Sequence, residues 1–265
     1  MAQSTVGKIY VGANQMFPGI QVPSGPEVPT SGLIGWFDAS DYTSGTTWVD
    51  RSANGLNLTL SGTYSKVSSP IEGVYLSNAY ARSATTALVS GGTGTEYTHI
   101  EILKLTSTSA GQGTFCISSN VGGDDAGSIS DYRLGTAQIG WLRNAVGGYG
   151  NILNTQTYNT TNIFFIARRF IYGETIGAGV YWGFGSDATA LTFYNSTANY
   201  TSTAGGTTMN WNLGAAGRMV IGAPSSTGSY KGPAYYGVNL FYNRAITDQE
   251  VTDIYNYYKS PYNLA

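Results

Sequence analysis

At 265 residues and 42% apolar side chains, the chain is long enough for one large core or two smaller ones. Only 11% of residues are charged and the formal net charge is −2, so there is no Lys/Arg concentration to neutralise phosphates, which excludes nucleic acid as a partner. No run approaches the roughly 20 apolar residues of a spanning helix, so membrane insertion is excluded, and the single cysteine, Cys116, rules out an intrachain disulfide.

The chain opens without a basic start and apolar stretch (Met1 to Lys8), so no signal peptide is read and synthesis in a host cytoplasm is expected. Residues 1–31 hold Pro18, Pro23, Pro26 and Pro29, each of which fixes φ and removes a backbone donor, and they read as an extended arm. Within the arm Ile9, Tyr10, Val11, Met16 and Phe17 are too apolar for an idle linker. Two readings stay open: an anchoring segment that adds to a neighbouring subunit, and a first strand folded back on its own domain.

Residues 32–265 read as one all-β domain. Strands are predicted at 33–37, 47–49, 56–60, 73–76, 97–105, 114–118, 131–134, 138–143, 162–171, 177–184 and 190–194, with a closing pair near 219–223 and 236–242. Strand 97–105 alternates Ile100, Ile102 and Lys104 against His99, Glu101, Leu103 and Leu105. The stretches 120–130 and 201–212 read as polar surface loops. Some 12 to 14 strands suffice for two facing antiparallel sheets. Thr247-Asp248-Gln249-Glu250 is a capping box, and Val251, Ile254, Tyr255 and Tyr258 form one apolar stripe ended by Pro261, so a short C-terminal helix is expected to cover a sheet.

Two motifs carry a resemblance. The run Asn239 to Val251, with Tyr242-Asn243-Arg244-Ala245-Ile246-Thr247 at its centre, resembles the closing strand and helix of laminin-G-like (concanavalin-A-like) jelly-roll domains. Gly32-Leu33-Ile34-Gly35-Trp36-Phe37-Asp38 with Asp50-Arg51-Ser52-Ala53-Asn54-Gly55 is similar to the first strand and turn of that family. Lys8-Ile9-Tyr10-Val11-Gly12 also resembles the beginnings of tailed-phage structural proteins. The resemblance implies an antiparallel jelly-roll sandwich, and fold alone does not fix function.

Residues that could carry chemistry are few. His99 is the sole histidine, which excludes Ser/His/Asp and multi-histidine metal sites. No strand carries the Glu-x-Asp-x-(x)-Glu pattern by which jelly-roll glucanases resemble one another, and Glu101 beside His99 reads as a structural pair. No cofactor is expected. Laminin-G-like domains often hold one calcium ion, for which Asp124 and Asp125 are the local candidates. Trp211 between Asn210 and Asn212 is the candidate glycan contact. These readings converge on a non-enzymatic virion protein of the capsid-decoration or head-fibre type. It would attach through its arm to a major capsid protein or tail protein, form a homo-oligomer, and display a domain for host-surface glycan. A tail-fibre or baseplate receptor-binding subunit and a polysaccharide hydrolase are the alternatives.

Overall fold

The computed structural model describes residues 15–17, 20–21, 27–90, 95–108, 113–119, 129–132, 141–143, 149–152, 158–174, 180–195, 200–204, 213, 215–223 and 231–265. In chain order the elements are β1 (Gln15–Phe17), β2 (Ile20–Gln21), β3 (Leu33–Asp38), β4 (Thr47–Trp48), β5 (Leu58–Val67), β6 (Gly73–Ser83), β7 (Glu96–Leu105), β8 (Phe115–Ser119), β9 (Ile129–Tyr132), β10 (Trp141–Arg143), β11 (Tyr149–Ile152), β12 (Phe164–Ile171), β13 (Val180–Ser186), β14 (Thr192–Asn195), β15 (Tyr200–Ala204), β16 (Gly217–Ile221), β17 (Ala234–Tyr242) and α1 (Asp248–Lys259). Among the described residues the fold is an antiparallel β-sandwich with one α-helix, short and C-terminal, as the sequence predicts.

One layer runs β14-β13-β12-β7-β17-β3, the other β4-β5-β6-β16-β8-β9-β10-β11-β15. Strand β6 joins them: Val74–Leu76 pair with β17, whereas Ala81 and Arg82 pair with β16. Strand β17 changes partner along its length, with β6 beside residues 234–236 and β3 beside residues 238–242. A register shift between Tyr236 and Val238 marks the change. Gly237 sits there because a Cβ would come within 2.6 Å of the Tyr262 ring.

The larger core fills the space between the layers, where Phe37, Leu103, Phe164, Ile166 and Phe241 meet Trp48, Leu60, Ala81, Phe115 and Met219. Alternation along β17 then sends Val238, Leu240 and Tyr242 to the outer face. There the α1 stripe Val251, Ile254, Tyr255 and Tyr258 covers them. Thr247 and Glu250 form the capping box, and Arg244 pairs with both oxygens of Glu250. The approach to β3 is pinned to the same face, since Tyr242 donates to Pro29 O at 2.9 Å and Arg244 Nε to Ser31 O at 2.8 Å.

The Asp50–Gly55 turn closes the outer edge of β3. Asp50 accepts from Trp36 N, Ser52 N, Ser52 Oγ and Leu56 N at 2.7–2.9 Å, and Asn54 Nδ2 donates to Leu33 O. Gly55 supplies a φ of +65°. The motif that resembles a family signature is thus a clamp on unpaired strand groups.

Several elements differ from the sequence reading. Strands β5 and β6 run on through Ser61-Gly62-Thr63 and Ser77-Asn78, which look like breakers, because a bulge between Thr63 and Tyr64 restores the ladder. Residues 201–204, read as loop, belong to β15, which pairs with the equally unforeseen β11. The Thr201-Ser202-Thr203 pattern offers no apolar alternation from which a strand could be read.

Candidate functional site

Two groupings of functional side chains stand out among the described residues, one inside the sandwich and one on its edge. The inner one grows from register. Arg168 of β12 pairs with His99 of β7, and Asn239 of β17 pairs with Glu101, so all four side chains share the inward face. All four are 0% exposed. Arg168 Nη1 lies 2.7 Å from Glu101 Oε1, which also accepts from Thr114 Oγ1 at 2.9 Å, and Arg168 Nη2 donates to Tyr158 OH at 3.2 Å. The guanidinium sits between the Phe115 and Trp182 rings, at 4.9 and 5.1 Å from their centroids.

Because a guanidinium only donates, the 3.4 Å approach of Arg168 Nη1 makes His99 Nδ1 an acceptor. The proton then lies on Nε2, which donates to Asn239 Oδ1 at 3.1 Å. Burial first, and the neighbouring Arg168 charge second, hold the imidazole pKa well below the ordinary histidine value. The ring is therefore neutral. The cluster pairs its own charges and is sealed from solvent, so it ties β7, β12, β17 and the 113–115 segment together. Glu101 and His99, which the sequence reads as a structural pair, meet through the Arg168 guanidinium that contacts both.

The edge grouping is open. Trp36 and Asp38 of β3 point to the outer face beside α1, where Trp36 Nε1 donates to Tyr258 OH at 2.9 Å and Tyr258 OH to Asp38 Oδ2 at 3.2 Å. Burial, then the Asp38 charge, push the Tyr258 phenol far above its ordinary value, so it stays a donor. Tyr257 stands edge-on to Trp36 at 6.5 Å and is 39% exposed, one of three exposed large apolar side chains among the described residues. On the other side the Arg51 guanidinium lies 5.1 Å from the Trp36 centroid. Asp41 holds it through Nε at 2.7 Å and Nη2 at 2.8 Å, and Asp38 through Nη1 at 3.3 Å.

Tyr257, Trp36, Arg51, Asp41 and the exposed Ser40 hydroxyl thus form a run of aromatic faces and polar groups. An open depression of about 530 Å³ lies at the C-terminal end of α1, lined by Asn256, Lys259, Ser260, Asn263 and Leu264. Such a surface can pack the C–H face of a sugar on an aromatic ring while carboxylate and hydroxyl oxygens accept from its hydroxyls.

The site residues expected from sequence fall largely elsewhere. Trp211, Asn210, Asn212, Asp124, Asp125, Ile9, Tyr10 and Val11 lie outside the described residues. Met16 and Phe17 belong to β1, which pairs with β2 in a two-stranded ladder. Among the described residues no three His, Cys, Asp or Glu side chains come together as metal ligands, and no helix is long and apolar enough to cross a membrane. Sequence reasoning missed Arg168 and the Trp36–Tyr257 edge. Arg168 and Arg169 are adjacent in an apolar strand and must face opposite ways, so one of them had to point inward. Tyr257 lies off the apolar stripe of α1 and so had to face solvent.

No family model matches the sequence, and a search of curated proteins gives no match. Solved structures do match. A Trypanosoma rangeli sialidase in complex with 2,3-difluorosialic acid is 13% identical over 90% of this chain and 35% of that one, with a TM-score of 0.57. Domain 4 of AbnA, a GH43 extracellular arabinanase from Geobacillus stearothermophilus, in complex with arabinotriose, is 14% identical over 85% of this chain and 99% of that one, with a TM-score of 0.54. The binding domain of Paraclostridial Mosquitocidal Protein 1 is 10% identical over 88% and 55%, with a TM-score of 0.55. This chain spans about a third of the sialidase's length. At these identities the likeness is one of fold, a β-sandwich found in glycan-binding and glycoside hydrolase proteins. It corrects the expectation of a protein without enzymatic activity: a fold shared with a sialidase and a domain of an arabinanase is compatible with hydrolase activity, and missing sequence motifs do not exclude it.

Proposed function

We propose that the chain is a carbohydrate-binding β-sandwich module whose ligand lies along the Trp36–Tyr257 edge. The observation that carries this reading is the exposed Tyr257 ring next to Trp36, Arg51 and the Asp41 and Ser40 oxygens. The similarity to domain 4 of AbnA supports it, because that domain is matched along nearly its whole length and its structure contains arabinotriose. Display on a tailed-phage particle is part of the proposal and rests on the opening-segment resemblance. Residues 1–31, with Ile9, Tyr10, Val11, Met16 and Phe17, would engage a capsid or tail protein.

The test is a glycan array probed with the full chain and with Tyr257→Ala. Binding to a defined set of glycans, reduced at least about tenfold by the substitution, supports the reading. Silence across the array refutes it. Binding that survives Tyr257→Ala moves the ligand to another surface and overturns the assignment of this edge. Reducing-sugar release from the bound glycans, measured in the same samples, reports hydrolysis directly.

A further inference from the structure

Resting on the glycan-binding reading, we infer that the Trp36–Tyr257 edge accepts neutral oligosaccharides and discriminates against sugars that carry a carboxylate. The charges around the two rings lead to this. Binding a sugar carboxylate calls for a cation with donors to spare, usually a guanidinium in bidentate contact. The guanidinium at this edge is Arg51, and four of its five N–H are taken, Nε and one on Nη2 by Asp41, the other on Nη2 by Ser40 Oγ at 3.2 Å and one on Nη1 by Asp38, so among the described residues it lacks the pair of donors that a bidentate contact needs. Those bonds, the one to Asp41 foremost, hold Arg51 firmly protonated, so its charge is constant but neutralised.

The remaining described groups make the local field negative. Asp50 lies directly behind Trp36, accepting from its backbone N–H at 2.9 Å. Asp253 sits one helical turn before Tyr257 on the same face of α1. Lys66 is matched by Glu72 at 3.1 Å, and Lys259 keeps its charge but reaches over the Tyr255 ring at 5.9 Å, a ring that packs on Phe165, whereas Trp36 meets α1 at Tyr258. Asp38 and Asp41 bond the Arg51 guanidinium, Asp50 holds the Trp36 backbone and Asp253 lies one turn from Tyr257, so four carboxylates stand against one guanidinium along this edge. Carboxylate oxygens accept from neutral sugar hydroxyls and repel a second carboxylate. The two fold neighbours with bound sugar differ in this respect, since difluorosialic acid is an acid and arabinotriose is neutral.

The experiment is isothermal titration of the full chain, at low and at high salt, with the neutral glycans selected on the array and with the same glycans bearing sialic acid or a uronate. The expected result is an affinity at least about tenfold lower for each acidic form, with the gap narrowing as salt screens the field. Asp253→Asn, which removes one of the repelling charges away from the sugar-contacting groups, should narrow the gap at low salt as well. Equal or tighter binding of the acidic forms, lost in Tyr257→Ala, overturns the inference and leaves glycan binding intact. Failure of every neutral and acidic form to bind overturns the glycan reading itself, and the inference falls with it.

Discussion

Replacing Arg168 by Met removes the charge that pairs with Glu101 inside the sandwich. The two side chains are 0% exposed and 2.7 Å apart, and breaking one partner of such a pair destabilises by about 3–5 kcal/mol because the other charge is left in a poorly solvating interior. Tyr158 OH loses its 3.2 Å donor, worth about 1 kcal/mol. The total of about 4–6 kcal/mol corresponds to a fall in melting temperature of roughly 10–20 °C for a domain of this size. Denaturant unfolding followed by tryptophan fluorescence suits the measurement, since the Trp182 ring lies 5.1 Å from the guanidinium. Arg168→Met with Glu101→Leu should regain most of the loss, as a matched apolar pair needs no compensation. A loss below about 1 kcal/mol in the single variant, or no recovery in the double, would show that the cluster does not hold the layers together.

His99 has a folded-state pKa depressed by burial, so the unfolded chain binds the extra proton. Stability should fall as pH drops below about 6.5, by up to about 1.4 kcal/mol per pH unit, and His99→Gln should flatten that slope in chemical denaturation. Glu250 is lowered to about 2, chiefly by its bond to Arg244. Its contribution is present above the unfolded carboxylate value near 4.5 and disappears toward pH 2. Screening at this partly exposed pair limits it to about 1 kcal/mol, which Arg244→Met would remove at neutral pH. Asp50→Ala deletes four hydrogen bonds at the β3 edge and should cost about 3 kcal/mol, seen as faster hydrogen exchange at the Trp36 and Leu56 amides. Unchanged exchange there would mean the turn does not clamp the strand.

Much of the architecture is readable from local pattern. The capping box at Thr247 and the stripe from Val251 to Tyr258 specify both the helix and its buried face, because 3.6-residue periodicity is a short-range property. Alternation in β7 sorts Ile100 from His99 and Glu101 correctly. Alternation does not say which face is interior, and the polar face proved to be the inner one because Arg168 and Asn239 arrive from strands far along the chain to satisfy it. The edge grouping shows the same limit more strongly. Trp36 reads as part of a strand motif, Arg51 as part of a turn, and Tyr257 as a helix residue off the stripe. Only the pairing of β3 with β17, near the other end of the chain, sets them against α1 and against each other.

Where the ligand sits is decided by a crystal structure of the chain with the tightest-binding neutral oligosaccharide from the array. The expected complex has a sugar ring on Tyr257 beside Trp36, with hydroxyls donating to Asp41 and Ser40 oxygens. A sugar seated instead in the segment that carries Trp211, or on any surface that leaves Tyr257 untouched, would contradict the proposed site.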